Sequence, residues 1–127
     1  MSDIVSRVLI VDDSRVTRRL LSSILKSDGY VVDEAENGLD ALEKLSAVKT
    51  DLIIADLNMP NMDGMTFVRS VREAPYVRDI PIVMLTVSSD KGLRKEAMAA
   101  GTDVFMTKPI NPARLLGTLK SLLKEKP

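Results

Sequence analysis

Val8-Leu9-Ile10-Val11 directly precedes Asp12-Asp13, and this pattern predicts a buried strand that ends in two charges. Three further apolar runs end at a polar residue in a similar way. They are Leu52-Ile53-Ile54-Ala55 before Asp56, Ile82-Val83-Met84-Leu85 before Thr86, and Val104-Phe105-Met106 two positions before Lys108. If these runs are parallel strands of one sheet, the polar residues lie together at its carboxyl edge, where open α/β sheets place their sites.

The order of the strands follows from how apolar each run is. Apolar runs alternate with segments of helical period along the chain, which is typical of an α/β fold. The first, third and fourth runs are nearly unbroken, as expected for strands covered on both faces, whereas Tyr30 to Ala35 is mixed and the fifth run is short. Right-handed crossovers then give the order 2-1-3-4-5. We therefore predict a doubly wound five-stranded parallel sheet with five helices, in one domain spanning residues 1–127.

The helices have recognisable starts, ends and buried faces. The predicted starts are Ser14, Asp63, Asp90 and Asn111-Pro112, and the predicted ends are Gly29, the residue before Pro75, and Gly101. Apolar side chains at helical spacing are expected to face the sheet. They are Val16, Leu20, Leu21, Ile24 and Leu25; Leu39, Leu42 and Leu45; Phe67, Val68 and Val71; and Leu115, Leu116, Leu119, Leu122 and Leu123.

Composition excludes several classes of function. Lysine plus arginine equal aspartate plus glutamate at 18 each, so no net charge draws the chain to nucleic acid or anionic lipid, and we expect neither as a partner. The absence of histidine and cysteine removes Ser-His-Asp and Cys-His catalysis and zinc clusters. Met1-Ser2-Asp3 lacks the features of a secretory signal and no run is long enough to span a membrane, so we expect a cytoplasmic protein.

The acidic residues at the predicted sheet edge suit a magnesium ion. An aspartate that ends a strand is most often a turn former or a helix cap, but Ser14 is already available to cap the first helix. Carboxylates that crowd one crevice raise each other's pKa unless a hard cation binds between them. Mg²⁺ is therefore expected on Asp13 and Asp56, with Asp12 reaching it directly or through water, and a backbone carbonyl just beyond Asp56 could add an oxygen.

The remaining polar residues of the edge suit a phosphoryl group. Lys108 would supply a positive charge and Thr86 a hydrogen-bond donor to its oxygens. Lys108 could instead be an ordinary solvated loop amine, which is the commonest fate of lysine. A proline at position 109 argues against this, because it fixes the loop and is compatible with a cis peptide bond. The chemistry indicated is metal-assisted phosphoryl transfer.

At this point the sequence resembles the receiver domain of bacterial two-component response regulators over essentially its whole length. The motifs that carry the resemblance are Asp12-Asp13, Asp56, Thr86, Lys108-Pro109 and the loop from Met59-Pro60 to Asp63-Gly64. Within that family, Val11 to Ser14, the Arg18-Arg19 pair and the Asn58 to Gly64 loop are most similar to the stand-alone chemotaxis regulators.

The resemblance implies a role for each matching position. Asp56 would be the phosphoacceptor, Thr86 and Lys108 would contact the phosphoryl group, and Phe105 would be a rotameric switch. The Mg²⁺ ligands that it implies are Asp12, Asp13, Asp56 and the backbone carbonyl of Asn58. One departure is Val87, since the family usually has a smaller residue there, and the approach to Asp56 is then expected to be narrower.

The implied function is a stand-alone response regulator that accepts phosphate from a histidine kinase. Such a protein is not a conventional enzyme, because it catalyses only its own phosphorylation and dephosphorylation. Phosphorylation would bias a two-state surface bearing Lys91, Arg94, Lys95, Met98 and Arg114. We expect a monomer without a fused effector, so output requires a partner protein, either a flagellar motor switch or a phosphotransfer domain, the latter contacting the region around the first helix.

Four alternatives remain at this stage. A phosphorelay intermediate or another single-domain regulator would use the same residues. An aspartyl-nucleophile phosphatase resembles this set of side chains, but such enzymes carry a second acid where this chain has Asn58. A flavodoxin-like cofactor binder shares the topology, yet Asp12-Asp13 would repel a flavin phosphate. A purely structural interaction module would leave the charged edge unexplained.

Overall fold

Strands and helices alternate throughout the computed structural model, which describes residues 5–88 and 90–124. In chain order the elements are β1 (Arg7–Val11), α1 (Arg15–Ser27), β2 (Val31–Ala35), α2 (Gly38–Ala47), β3 (Leu52–Asp56), α3 (Gly64–Glu73), β4 (Ile82–Thr86), α4 (Lys91–Ala100), β5 (Val104–Thr107) and α5 (Pro112–Lys124). All strand pairs are parallel, in the order β2-β1-β3-β4-β5. The predicted fold class and strand order are confirmed.

The register of the central strands brings the acidic residues together. Val11 of β1 pairs with Ala55 of β3, so Asp12 and Asp56 each follow directly on a paired residue. In the next pair, Asp56 itself lies opposite Leu85 of β4. Because parallel strands end at the same edge, both carboxylates emerge on neighbouring strands at the same level.

Two apolar layers enclose the sheet. Side chains alternate between its faces along each strand, so Leu9 and Val11 contact one layer, whereas Val8 and Ile10 contact the other. Residues of α2, α3 and α4 pack in the first layer, and residues of α1 and α5 pack in the second. The strands β1, β3 and β4 lie at the centre, and every residue of β3 and β4 is buried.

The predicted caps form as hydrogen bonds. Side-chain oxygens of Ser14, Asp63 and Asp90 accept from backbone N–H groups in the first turns of α1, α3 and α4, and Asn111 does the same for Arg114 at 3.1 Å. Gly101 ends α4 with a φ of 121°, in the left-handed region that favours glycine. Among the helices that residues 5–88 and 90–124 form, none is long and apolar enough to cross a membrane.

Three apolar side chains that were predicted to face the sheet do not. Val16 and Leu20 of α1 are 78% and 53% exposed, and Leu39 of α2 is 57% exposed. An α-helix advances by about 100° per residue, so a helix that buries Leu21 and Leu25 turns Val16 and Leu20 toward solvent. The predicted apolar faces of α1 and α2 were therefore too wide, and the surface that each helix packs against the sheet is narrower.

Arg72 makes a set of hydrogen bonds at the end of the molecule opposite the carboxyl edge of the sheet. Its guanidinium donates to the carbonyl of Gly101 at 2.8 and 2.9 Å and to those of Arg78 and Ile80 at 2.7 Å. It also pairs with the carboxylate of Asp103 at 2.9 Å. One side chain of α3 thus holds the end of α4 and the loops that lead into β4 and β5.

Replacing Asp63 by alanine should lower the free energy of unfolding by about 1 kcal/mol near neutral pH, because the N–H of Thr66 loses its acceptor. That hydrogen bond holds the pKa of Asp63 below its usual range. The stabilisation by the ionised carboxylate is therefore complete above the ordinary aspartate pKa of about 3.9 and is lost as the pH falls through the lower folded-state value.

Urea unfolding at about pH 7 and about pH 3 measures this difference. Asp63→Asn is the matched control, because it keeps a capping oxygen without the charge and should remain close to the unmodified protein. Equal stability of Asp63→Ala and the unmodified protein at neutral pH would show that the cap contributes nothing.

Candidate functional site

Asp12 is fixed at the end of β1 by hydrogen bonds on both sides. Its backbone N–H donates to the carbonyl of Ala35 at 3.1 Å, which extends the pairing of β1 with β2. Its Oδ1 accepts from the N–H of Ser14 at 2.8 Å. The side chain is only 2% exposed, so its second oxygen can be reached only from within the site.

Three carboxylates meet at this edge of the sheet. One oxygen from each of Asp12, Asp13 and Asp56 lies within 4.8 Å of the other two. Asp12 and Asp56 are buried, whereas Asp13 is exposed and forms the open side. An oxygen-only set rich in negative charge is the kind that hard divalent cations such as Mg²⁺ bind. The structure thus brings together the three predicted side-chain ligands.

Lys108 lies between two of these acids. Its Nζ is 3.3 Å from Oδ2 of Asp12 and 3.7 Å from Oδ1 of Asp56. The backbone N–H of Lys108 donates to the carbonyl of Thr86 at 2.7 Å, and the Lys108–Pro109 peptide bond is cis. With its side chain only 19% exposed, Lys108 is not an ordinary solvated loop amine.

Asp56 carries a carboxyl group that its surroundings make harder to ionise. Burial raises the pKa of Asp56, and the charges of Asp12 and Asp13 raise it further. The ammonium group of Lys108 and a hydrogen bond from the backbone N–H of Asn58 act in the opposite direction. The net pKa lies above the ordinary aspartate value, because burial outweighs the favourable contacts. A cation bound next to Asp56 would stabilise its ionised form.

The other predicted site residues lie around the cluster at different depths. Thr86 is fully buried, and its Oγ1 accepts from the N–H of Ser88 at 3.1 Å. In the described part of the chain, no hydrogen bond joins that hydroxyl to the three carboxylates. Phe105 is 7% exposed and packs in the core, and Val87 is 73% exposed next to Thr86. The contact of Thr86 with a phosphoryl group, the switch role of Phe105 and the narrowing of the approach to Asp56 by Val87 remain predictions.

The loop after β3 folds back because residue 64 is glycine. The N–H of Gly64 donates to the carbonyl of Leu57 at 2.8 Å. A Cβ atom at this position would lie 2.6 Å from the carbonyl oxygen of Asp56 and 2.8 Å from Cα of Leu57, both backbone atoms that cannot turn away. The absence of a side chain therefore lets α3 begin directly against the residue that carries the central carboxylate.

Arg18 is a contact residue of the site whose contacts we did not predict. It donates from Nη1 to the backbone carbonyl of Asp12 at 2.6 Å and from Nε to Oε1 of Glu34 at 3.1 Å. A signal for it exists in the sequence, because Arg18, Leu21 and Leu25 share one stripe of α1. A charged residue on the stripe that faces the sheet needs a partner.

This fold and site correspond to a known class of protein. A family model described as the response regulator receiver domain matches residues 8–120. The chain therefore belongs to the response regulator receiver domain family. Receiver domains are signalling proteins, not classical enzymes, and phosphorylation and Mg²⁺ binding at an acidic pocket are general features of the family.

Curated relatives include both short and long response regulators. The chain is 39% identical to the chemotaxis protein CheY1 of Helicobacter pylori over 119 residues, which cover 92% of this chain and 96% of CheY1. It is also 39% identical to the transcriptional regulatory protein ResD of Bacillus subtilis, with 94% of this chain and 48% of ResD covered. The chain thus spans about half the length of this longer relative.

Solved structures show the same fold. The chemotaxis protein CheY4 of Vibrio cholerae superimposes with a TM-score of 0.90 at 39% identity, covering 94% of this chain and all of the other. The receiver domain of the sensor histidine kinase PA1611 of Pseudomonas aeruginosa gives a TM-score of 0.89 at 27% identity, covering 96% and 100%. That structure contains a magnesium ion coordinated in the active-site cleft.

Replacing Lys108 by methionine should raise the pKa of Asp56 further, because it removes the positive charge 3.7 Å from Oδ1. A ¹³C NMR titration of the aspartate carboxyl groups in EDTA measures the change. The control is Lys120→Met, which removes the same charge from an exposed position on α5 and should leave the pKa of Asp56 unchanged. An unaltered Asp56 titration in Lys108→Met would contradict the assigned electrostatic contact.

Proposed function

We propose that this chain takes a phosphoryl group from a histidine kinase onto Asp56 with the help of Mg²⁺ and signals by binding a partner protein in its phosphorylated form. A receiver domain implies a histidine kinase donor and a downstream target. The observation that carries the proposal is the juxtaposition at one sheet edge of a buried Asp56, two further carboxylates and the amine of Lys108.

The metal would bind at the carboxylate cluster. Asp12, Asp13 and Asp56 would supply carboxylate oxygens, and the backbone carbonyl of Asn58 would add a fourth oxygen. When bound, Mg²⁺ neutralises charge and holds phosphoryl oxygens in place. Support comes from the all-oxygen character of the cluster and from the mutual repulsion that a cation relieves.

The transfer step requires a nucleophile and donors for the phosphoryl oxygens. A carboxylate oxygen of Asp56 attacks phosphorus and forms a P–O bond while the P–N bond to the histidine of the donor breaks. The ammonium of Lys108, already 3.7 Å from Asp56, can then bind an oxygen of the transferred group. The hydroxyl of Thr86 accepts from Ser88 but keeps its own proton, so it can still donate.

The signal would be read on the exposed side of α4. Lys91, Arg94, Lys95 and Met98 line a shallow groove of about 400 Å³. Cationic side chains around an exposed thioether fit a partner segment that combines acidic residues with an apolar anchor. Ala97 of α4 lies in the same apolar cluster as Phe105, which is three residues before Lys108, so α4 is connected to the site through packed side chains.

Chemotaxis is the pathway suggested by two relatives that this chain covers almost completely. CheY1 and CheY4 are chemotaxis proteins, and nearly all of each is covered by this chain. A flagellar motor switch segment is therefore our proposed target. A phosphorelay role is the second candidate, because Val16 and Leu20 on α1 form an exposed apolar pair that a phosphotransfer domain could contact.

Asp56 should be phosphorylated by acetyl phosphate, because the acceptor, the proposed metal ligands and Lys108 all belong to this chain. Intact-mass spectrometry should detect one phosphate adduct in the presence of Mg²⁺ and little in EDTA. Asp56→Asn is the control that keeps the shape of the side chain but removes the nucleophile. An adduct that persists in Asp56→Asn, or forms equally in EDTA, would falsify the proposal.

The target surface can be tested with beryllofluoride, which can take the place of the phosphoryl group on Asp56. The activated protein should bind a synthetic motor switch peptide at least about tenfold more tightly than the free protein. Lys91→Glu/Lys95→Glu should abolish that gain, because it reverses two charges of the groove. Val16→Ser/Leu20→Ser is the matched control on α1 and should bind like the unmodified protein.

Binding is measured by fluorescence anisotropy of a labelled peptide, and each variant is first checked for phosphorylation by acetyl phosphate. One outcome would support the phosphorelay role instead of the chemotaxis role. If the peptide does not bind, and transfer to a phosphotransfer domain is rapid and is lost in the α1 variant, then the chemotaxis proposal is wrong and the receiver assignment stands.

A further inference from the structure

We propose that Arg18, held by Glu34, is a positioning residue for the acidic pair Asp12-Asp13. In this proposal the guanidinium fixes the backbone from which both carboxylates extend, and Glu34 balances its charge so that a cation is not repelled. The inference rests on the proposed Mg²⁺ site. It concerns two side chains that lie outside the predicted ligand set.

The geometry shows how one side chain can set the position of two others. Nη1 of Arg18 donates to the carbonyl oxygen of Asp12 at 2.6 Å, directly at the peptide unit that joins Asp12 to Asp13. On the other side, the N–H of Asp12 is bound to Ala35 and its Oδ1 to Ser14. Arg18 completes these restraints from α1, on which its side chain is only 14% exposed.

Glu34 orients the guanidinium and offsets its charge. Its Oε1 accepts from Nε of Arg18 at 3.1 Å, and Glu34 belongs to β2, the edge strand that pairs with β1. An arginine has a planar set of donors, so one group can bond a carboxylate and a carbonyl in fixed directions. Arg18 is thereby held between two neighbouring strands, and its positive charge faces a carboxylate.

An unpaired arginine would be unfavourable at this place. A cation that approaches Asp12 and Asp13 would be repelled by a nearby guanidinium, and the repulsion would weaken Mg²⁺ binding. If Arg18 acted only through its charge, its removal would therefore strengthen Mg²⁺ binding. If Arg18 positions the acidic pair, its removal weakens binding. The two roles predict opposite signs.

The neighbouring Arg19 provides a matched control. It carries the same charge one position along α1, but its side chain is exposed. The variants to compare are Arg18→Met, Arg19→Met, Arg18→Lys and Glu34→Gln. Each is titrated with MgCl₂ while the amide signals of Asp13 and Ser14 are followed by NMR, which gives a dissociation constant without any phosphoryl transfer.

Arg18→Met should bind Mg²⁺ about tenfold or more weakly, the usual cost of losing a partner that orients metal ligands. Arg19→Met should bind as tightly as the unmodified protein or slightly more tightly. Arg18→Lys keeps the charge without the planar donor set, so its affinity should remain reduced. Glu34→Gln should also bind Mg²⁺ more weakly. Added salt should reduce the difference in Mg²⁺ affinity between Glu34→Gln and the unmodified protein, because the cause in this variant is the unbalanced charge of Arg18.

Thermal unfolding in EDTA shows whether each variant is folded, and if Arg18→Met is not, Arg18→Lys and Glu34→Gln decide the question. Unchanged or tighter Mg²⁺ binding by the folded Arg18 variants would overturn the inference and leave the proposed function intact. An equal loss in Arg19→Met would overturn it as well. Absence of Mg²⁺ binding by the unmodified protein would overturn both the inference and the proposed metal site.

Discussion

Repulsion among the carboxylates of Asp12, Asp13 and Asp56 is the interaction around which the rest of the site is arranged. The sheet imposes it, since pairing of Val11 with Ala55 brings two strand ends to the same level and places three carboxylate oxygens within 4.8 Å of one another. Ionised carboxylates at such a distance repel one another, and the repulsion is strongest between the buried Asp12 and Asp56, because solvent screens the exposed Asp13. The raised pKa of Asp56 reflects its burial together with this repulsion. Lys108 offsets only part of the charge, so negative charge remains that a cation could neutralise.

The opposite end of the molecule is held by different means, and the contrast bears on how a signal could spread. Arg72 binds the carbonyl of Gly101 and thereby anchors the last turn of α4. Along its described length α4 fully buries only Ala97, with Leu93 and Ala100 partly buried against the same layer, so it has fewer buried residues than α3. An element with few buried contacts can shift at small cost. In the proposed function, a helix fixed at its far end and with few fully buried side chains could shift in response to phosphorylation at the sheet edge where Thr86 and Lys108 lie.

Sequence reasoning was reliable where a continuous apolar run or a single capping residue determines the structure. The unbroken apolar runs gave the strand order, and Ser14, Asp63, Asp90 and Asn111 cap their helices as predicted. It failed for the exposed Val16, Leu20 and Leu39, because periodicity does not tell how wide a face each helix buries. The pairing of Arg18 with Glu34 could not be predicted from the sequence, because the two residues are 16 positions apart and come into contact only when α1 packs beside β2. Contacts between elements depend on packing geometry, which a linear pattern does not contain.

The two exposed surfaces proposed for partners lie in different layers of the fold. The exposed Val16 and Leu20 belong to α1, which packs with α5 on one face of the sheet, whereas the groove of Lys91, Lys95 and Met98 belongs to α4 on the other face. Asp56 ends β3, a central strand of the sheet that lies between the two layers. A protein bound to α1 would therefore leave the α4 groove free, because the sheet itself separates them. In the proposed function, a donor or phosphotransfer partner on α1 and a reader on α4 would therefore not compete for the same surface.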